Sequence, residues 1–298
     1  MLITGLPAHA TQVAFASSRR GLAFTCAPEQ RCRTRSALYR TSDGGLTWRR
    51  ILSAGEPRVF AVESVPNVVA WLTSGRSRTA PVHLHEQVGR AATTVITVRP
   101  RLATIAFRTR ARAWGATAPA VGGRFLVTTD AGHTWTDAPR NPCGRSAPAA
   151  LRPVTAATGV VVCVGRRGAG GQAKSVYRTA DGGRHWRLQA RIGGGRTPVG
   201  AIPLAGAVGR LVRSPDGRLW MTIARGPMLV STDLGRHWRQ RADLAPDGAA
   251  RAAPSIAFAG RKAGFIDRIC GGRADLLRSG DRGATWQAAP RAGAPCAL

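Results

Sequence analysis

Lysine is almost missing from this chain. Of its 44 basic residues only Lys174 and Lys262 are lysines, and the remainder are arginine. Acids are scarce too: 15 residues in 298, only four of them glutamates (Glu29, Glu56, Glu63 and Glu86), which leaves a formal net charge of +29. So few carboxylates give little material for the paired acids of glycoside hydrolysis, and no glutamate pairs visibly with Tyr39 or Tyr177, the only tyrosines. The arginines run through the whole length beside abundant Ala, Gly and Pro, which reads as coding bias rather than as one basic face. Aromatics make up 6% and are largely taken up by a repeat, so a base-stacking platform has few candidates and no specific nucleic-acid partner is expected.

Long apolar runs are missing as well. The longest, Val154–Val164, is too short to span a bilayer. Met1–Phe15 has no charged segment followed by an apolar one of the export type. With the cysteine reading below, this points to an upstream segment missing from the sequence. Cys-x-x-Cys spacing is lacking, and His83 and His85 form an isolated pair on a predicted strand, so neither metal nor cofactor is expected. No Ser-His-Asp grouping or phosphate loop stands out.

What the chain has is one octapeptide, five times over. Thr41–Trp48, Thr128–Trp135, Thr179–Trp186, Ser231–Trp238 and Ser279–Trp286 all fit Ser/Thr-x-Asp-x-Gly-x-x-Trp. The residue types suit a hairpin corner. A carboxylate at Asp43, Asp130, Asp181, Asp233 or Asp281 can accept N–H groups across its own turn. Glycine at Gly45, Gly132, Gly183, Gly235 and Gly283 allows positive φ. The indoles of Trp48, Trp135, Trp186, Trp238 and Trp286 are large enough to anchor one sheet on the next. From Asp43 the aspartates step by 87, 51, 52 and 48 residues. The long first step hides a decayed copy at His85-x-Gln87-x-Gly89, which keeps the glycine and loses Asp and Trp. Six units of this size match four-stranded propeller blades.

The expected fold is therefore an all-β, six-bladed β-propeller rather than a seven-bladed one. A single domain over residues 1–298 is expected, with blades near 11–56, 57–100, 101–145, 146–203, 204–250 and 251–298. Short apolar strands recur, including Val13–Phe15, Leu22–Cys26 and Ser36–Arg40 in blade one and Val154–Ala157 and Val160–Val164 in blade four. Trp71, Trp114 and Trp220 fall on second strands and read as core between blades.

In an up-and-down blade the repeat turns join third and fourth strands. The second-to-third loops and the links between blades then share the opposite face. All six cysteines fall near that face. The favoured bridges are Cys26–Cys32, Cys143–Cys163 and Cys270–Cys296, with Cys26–Cys296 as a rival, and the even count argues for an oxidising compartment. Binding residues are expected there too, foremost Arg166, Arg167, Gln172 and Lys174 in a basic, glycine-rich loop after Cys163.

The octapeptides resemble the Asp-box, or bacterial neuraminidase, repeat, and the pattern resembles sialidase-like Asp-box propellers over nearly the whole chain. Within that group it looks most like bacterial extracytoplasmic propellers of the repeat, from sialidases to photosystem II assembly-factor-like proteins. Sialidases imply a Tyr–Glu pair, an acidic catalyst, three arginines on the sugar carboxylate and an early Arg-Ile-Pro-type motif. That motif is not seen near the start, and Ile202-Pro203 follows Ala201 instead. Tyr39 and Tyr177 each sit two residues before an octapeptide, a structural position. The expectation is a monomeric, non-catalytic propeller for binding or assembly in the cell envelope or outside the cell. Its ligand would be a protein or glycan on the face opposite the boxes; the alternative is a divergent sialidase-like glycoside hydrolase.

Overall fold

The computed structural model describes residues 2–4, 10–26, 36–52, 58–75, 77, 80–118, 123–168, 171–193, 199–241, 244, 253–270 and 273–288. Every strand and helix-length element among them is a β-strand, and the fold is a six-bladed β-propeller. No described helix is long and apolar enough to cross a membrane. The chain divides into two compact units, one of Met1–Val98, Ser214–Asp216 and Pro254–Leu298, the other of Arg99–Arg213 and Gly217–Ala253.

The first unit holds three sheets. Blade one contains β1 (Leu2–Thr4), β2 (Ala10–Phe15), β3 (Gly21–Cys26), β4 (Ser36–Thr41) and β5 (Thr47–Leu52) in the order β1-β5-β4-β3-β2. Blade two runs β6 (Arg58–Val65), β7 (Val68–Ser74), β8 (Val82–Val88) and β9 (Thr94–Val98), each strand beside its sequence neighbour. The last blade does the same with β22 (Ser255–Ala259), β23 (Ala263–Cys270), β24 (Arg273–Ser279) and β25 (Gln287–Ala288). Strand alternation explains how β2 serves two neighbours. Val13 and Phe15 pack with Trp48 against Ala257, Phe265 and Leu276 of the last blade. Ala14 points the other way, joining Leu22 and Leu38 against Val59, Val62 and Trp71 of blade two. The Phe15 and Phe265 rings stack, and the Val13 N–H donates to Ser255 Oγ at 2.9 Å. Each fully buried Val, Leu or Phe among them contributes about 1.5–3 kcal/mol by leaving water.

The second unit repeats the scheme. Its blades are β10 (Leu102–Phe107) to β11 (Ala113–Thr117), β12 (Phe125–Thr128) and β13 (Thr136–Asp137); β14 (Ala147–Pro153), β15 (Gly159–Gly168), β16 (Gly171–Thr179) and β17 (Arg187–Ile192); and β18 (Val208–Arg213), β19 (Leu219–Ile223), β20 (Met228–Ser231) and β21 (Arg239–Arg241). The apolar run of β15 is buried on both faces. Val161 and Cys163 face Ala106, Ala116 and Phe125, whereas Val160 and Val162 face Leu211, Leu219 and Met221. Trp71 and Trp220 are buried. Trp114 meets Trp186 of the next blade edge to face at 5.9 Å.

One strand lies elsewhere than expected. Val154–Ala157 reads as the first strand of blade four, but that strand is β14, and residues 154–158 are its turn. Thr155 Oγ accepts from the N–H groups of Ala157 and Thr158, a hydroxyl turn that overrides local β-propensity. Pro148 and Pro153 disguise the true strand. They are tolerated because β14 is the edge of its sheet and is bulged between Pro148 and Ala150.

Candidate functional site

The five octapeptides are third-to-fourth-strand corners, built alike. In the first, the Thr41 hydroxyl accepts from the Gly45 N–H at 2.8 Å and donates to Asp43 Oδ1 at 2.8 Å. The Asp43 carboxylate accepts the Thr47 N–H at 3.0 Å and the Thr47 hydroxyl at 2.5 Å. The Trp48 indole N–H donates to the Gly45 carbonyl at 3.1 Å. Gly45 has φ +85°, and a Cβ there would lie 2.7 Å from the Leu276 side chain. The other four corners keep the aspartate and tryptophan bonds.

A seventh-position partner escaped the sequence reading. Thr47, Thr134, His185, His237 and Thr285 each add a side-chain bond to the turn carboxylate, the two histidines through Nδ1 at 2.6 Å. The signal was present, because all five copies carry Thr or His just before the tryptophan. Burial alone would raise the Asp43 carboxyl, but the bonds from Thr47 and Thr41 outweigh it and hold the pKa at about 2. Thr134 and Thr128 hold Asp130 at about 2, and bonds from His185 and Thr285 keep Asp181 and Asp281 well below the usual carboxylate range. Each carboxylate is occupied by its own turn.

At the other end of blade four lies a cavity of about 720 Å³. Arg145, Arg166, Arg191, Tyr177, Ser175 and Leu204 line it, together with Cys143. No Asp or Glu is among the described lining residues. Register explains the grouping. Cys163 pairs with Ser175 and Val161 with Tyr177, so Ser175 and Tyr177 point to the face that meets blade three. The Cys143–Cys163 bridge, with Cα atoms 5.3 Å apart, ties the link after blade three to β15 and brings Arg145 to this sheet. The Asn141 side chain accepts from the Cys143 N–H and donates to the Gly123 carbonyl, fixing the link from behind.

Cys143–Cys163 is one of the three expected bridges. Cys32 and Cys296 lie outside the described residues, and with them Cys26–Cys32, Cys270–Cys296 and the rival Cys26–Cys296.

The expected binding loop is not a loop. Arg166 and Arg167 lie on β15, Gln172 and Lys174 on β16, and the two strands pair as far as Gly168 and Gly171. Arg166 is exposed at the cavity. Gln172 donates to the Gly165 carbonyl at 3.0 Å and stiffens the hairpin. Lys174 points inward and is 1% exposed. Its ammonium donates to the carbonyls of Leu204 (2.7 Å), Pro203 (2.9 Å), Gln172 (3.0 Å) and Ala205 (3.3 Å). Burial lowers its pKa to about 8. It fastens the segment before β18 and is not free to meet a ligand. Arg145, Arg191 and Tyr177, absent from the sequence-based set, join Arg166 instead. Only the pairing register and the bridge bring them together.

No family model matches the sequence, and no curated protein matches it. Solved structures do resemble it. YCF48 bound to a D1 peptide is 19% identical with a TM-score of 0.51, over 97% of this chain and 83% of that one. The GH93 α-L-arabinofuranosidase of Fusarium graminearum, in complex with arabinobiose, is 12% identical with a TM-score of 0.56, over 93% and 95%. The GH74 xyloglucanase of Xanthomonas campestris is 15% identical with a TM-score of 0.57, over 97% of this chain and 46% of its own. At these identities the likeness is one of fold.

Proposed function

We infer that the chain is a non-catalytic, single-domain propeller of the Asp-box kind that binds a peptide of a partner protein, working in the cell envelope or outside the cell. The observation that carries this is the cavity beside Cys143–Cys163: three arginines, a tyrosine and a backbone fixed by a bridge, with no carboxylate among its described lining residues. Guanidinium groups recognise carboxylates in paired, planar geometry, so acidic side chains or a chain-terminal carboxylate suit the site. The peptide bound to YCF48 supports a peptide ligand. The disulfide supports an oxidising compartment.

The test is fluorescence anisotropy with labelled acidic peptides, each made with a free and an amidated C-terminus. Binding should weaken about tenfold, about 1.4 kcal/mol, in Arg145→Ala and Arg166→Ala. Peptides that bind both variants as well as the unaltered chain would refute the assignment. The second reading, a divergent sialidase-like hydrolase, is favoured by Tyr177 sharing a cavity with three arginines. Release of fluorophore from a sialoside, abolished by Tyr177→Phe, would establish it in place of the first.

A further inference from the structure

A second cavity lies at the repeat-turn end of blades one and two, and it does not depend on the peptide reading. It measures about 530 Å³ and is lined by Arg20, Arg40, Arg49 and Arg90 with Asn67 and Gln87 among the polar groups. No Asp or Glu is among its described lining residues. It sits beside the third-to-fourth-strand corner of blade two, where the expected decayed copy is out of register: His85 and Gln87 lie within β8, whereas each octapeptide aspartate lies beyond the end of its strand. Gln87 lies on β8, paired with Val69, the corner after it carries no aspartate, and two arginines are oriented by neutral acceptors. Arg40 donates to Gln87 Oε1 at 3.4 Å, and Arg20 donates to Asn67 Oδ1.

The matching cavity between the last blade and blade one shows what carboxylates change. That one, about 460 Å³, is lined by Asp43 and Asp281 with a single arginine, Arg278. An aspartate at residue 87 would place a carboxylate beside Arg40 and offset its charge. An amide orients the guanidinium and leaves its charge in place, so the cavity keeps four cationic groups with no carboxylate among its described lining residues.

We propose that this cavity is a binding site for a tetrahedral oxyanion, a phosphate or sulfate group, held by Arg20, Arg40, Arg49 and Arg90. Four guanidiniums supply several N–H donors each, which matches an acceptor with oxygens on every side better than it matches one planar carboxylate.

Calorimetric titration with inorganic phosphate and, separately, inorganic sulfate at low ionic strength tests it, the two arms separating the two sources of such a group. One of the two should bind at a single site. Gln87→Glu, which puts a carboxylate into the cavity, should weaken that binding at least about tenfold. The exposed pair Arg49→Gln/Arg90→Gln should do the same while the circular dichroism spectrum stays unchanged. A control pair on other blades, Arg187→Gln/Arg239→Gln, should leave it intact. Binding of neither anion overturns the proposal. So does binding that survives both cavity variants, or that falls equally in the control pair, because a strongly cationic chain attracts anions everywhere.

Discussion

The corners at Asp281 and at Gln87 belong to the same unit and are made in different ways. At Asp281 the carboxylate accepts the Thr285 N–H at 2.9 Å, and the Trp286 indole closes the turn on the Gly283 carbonyl at 3.1 Å. The corner after Gln87 has no carboxylate. The Gln87 amide, from within β8, donates to the Ala91 carbonyl at 3.0 Å. The Gly89 N–H is taken by the Asn67 carbonyl at 2.9 Å, as the Arg282 N–H beside Asp281 is taken by the Lys262 carbonyl, and no tryptophan follows before β9. Both corners join third and fourth strands. The carboxylate is thus one of two ways to close the turn, and its loss need not unmake a blade. What its loss does alter is local charge.

Removing the tryptophan should separate the two kinds of corner most sharply. Trp48→Ala should destabilise by about 3–5 kcal/mol in denaturant melts, because the side chain is fully buried and holds two blades together. A loss below about 1 kcal/mol would mean the corner does not rely on its indole. Asp43→Ala should have a smaller effect, about 1–2 kcal/mol, as loss of a turn-capping acceptor usually does. Its pH dependence has a definite sign. A carboxyl held at about 2 against an ordinary 3.8 stabilises the fold above its unfolded value and loses that contribution as pH falls from about 4 toward 2. The melting curve of Asp43→Ala should therefore depend less on pH in that window than that of the unaltered chain. Gln87→Asp should move stability least, within about 0.5 kcal/mol, because the hydroxyl and indole partners are missing around it. A gain comparable to the Asp43 loss would show that the acid alone makes the corner.

The blade architecture was legible because each corner writes its bonds into adjacent residues: Thr41, Asp43, Gly45 and Trp48 satisfy one another within eight positions. The strand at Ala147–Pro153 was hidden because edge position and a bulge, which only the sheet reveals, excuse its prolines. Half of the site was readable. Arg166 and the Cys143–Cys163 bridge lie where face counting puts them. Tyr177 and Arg191 arrive through cross-strand register, and a one-residue slip would turn them to the other side. Lys174 misled because its sequence neighbours are small and polar, whereas its actual surroundings are carbonyls some 30 positions later in the chain.

That lysine gives the molecule a built-in chemical clock. An acylating reagent finds only two lysine side chains in this protein, exposed Lys262 and sealed Lys174. The first should be modified at once. The second can react only when the segment around Pro203–Ala205 swings away and frees its amine, so the slow phase of labelling, read by mass, times the opening of that part of the scaffold.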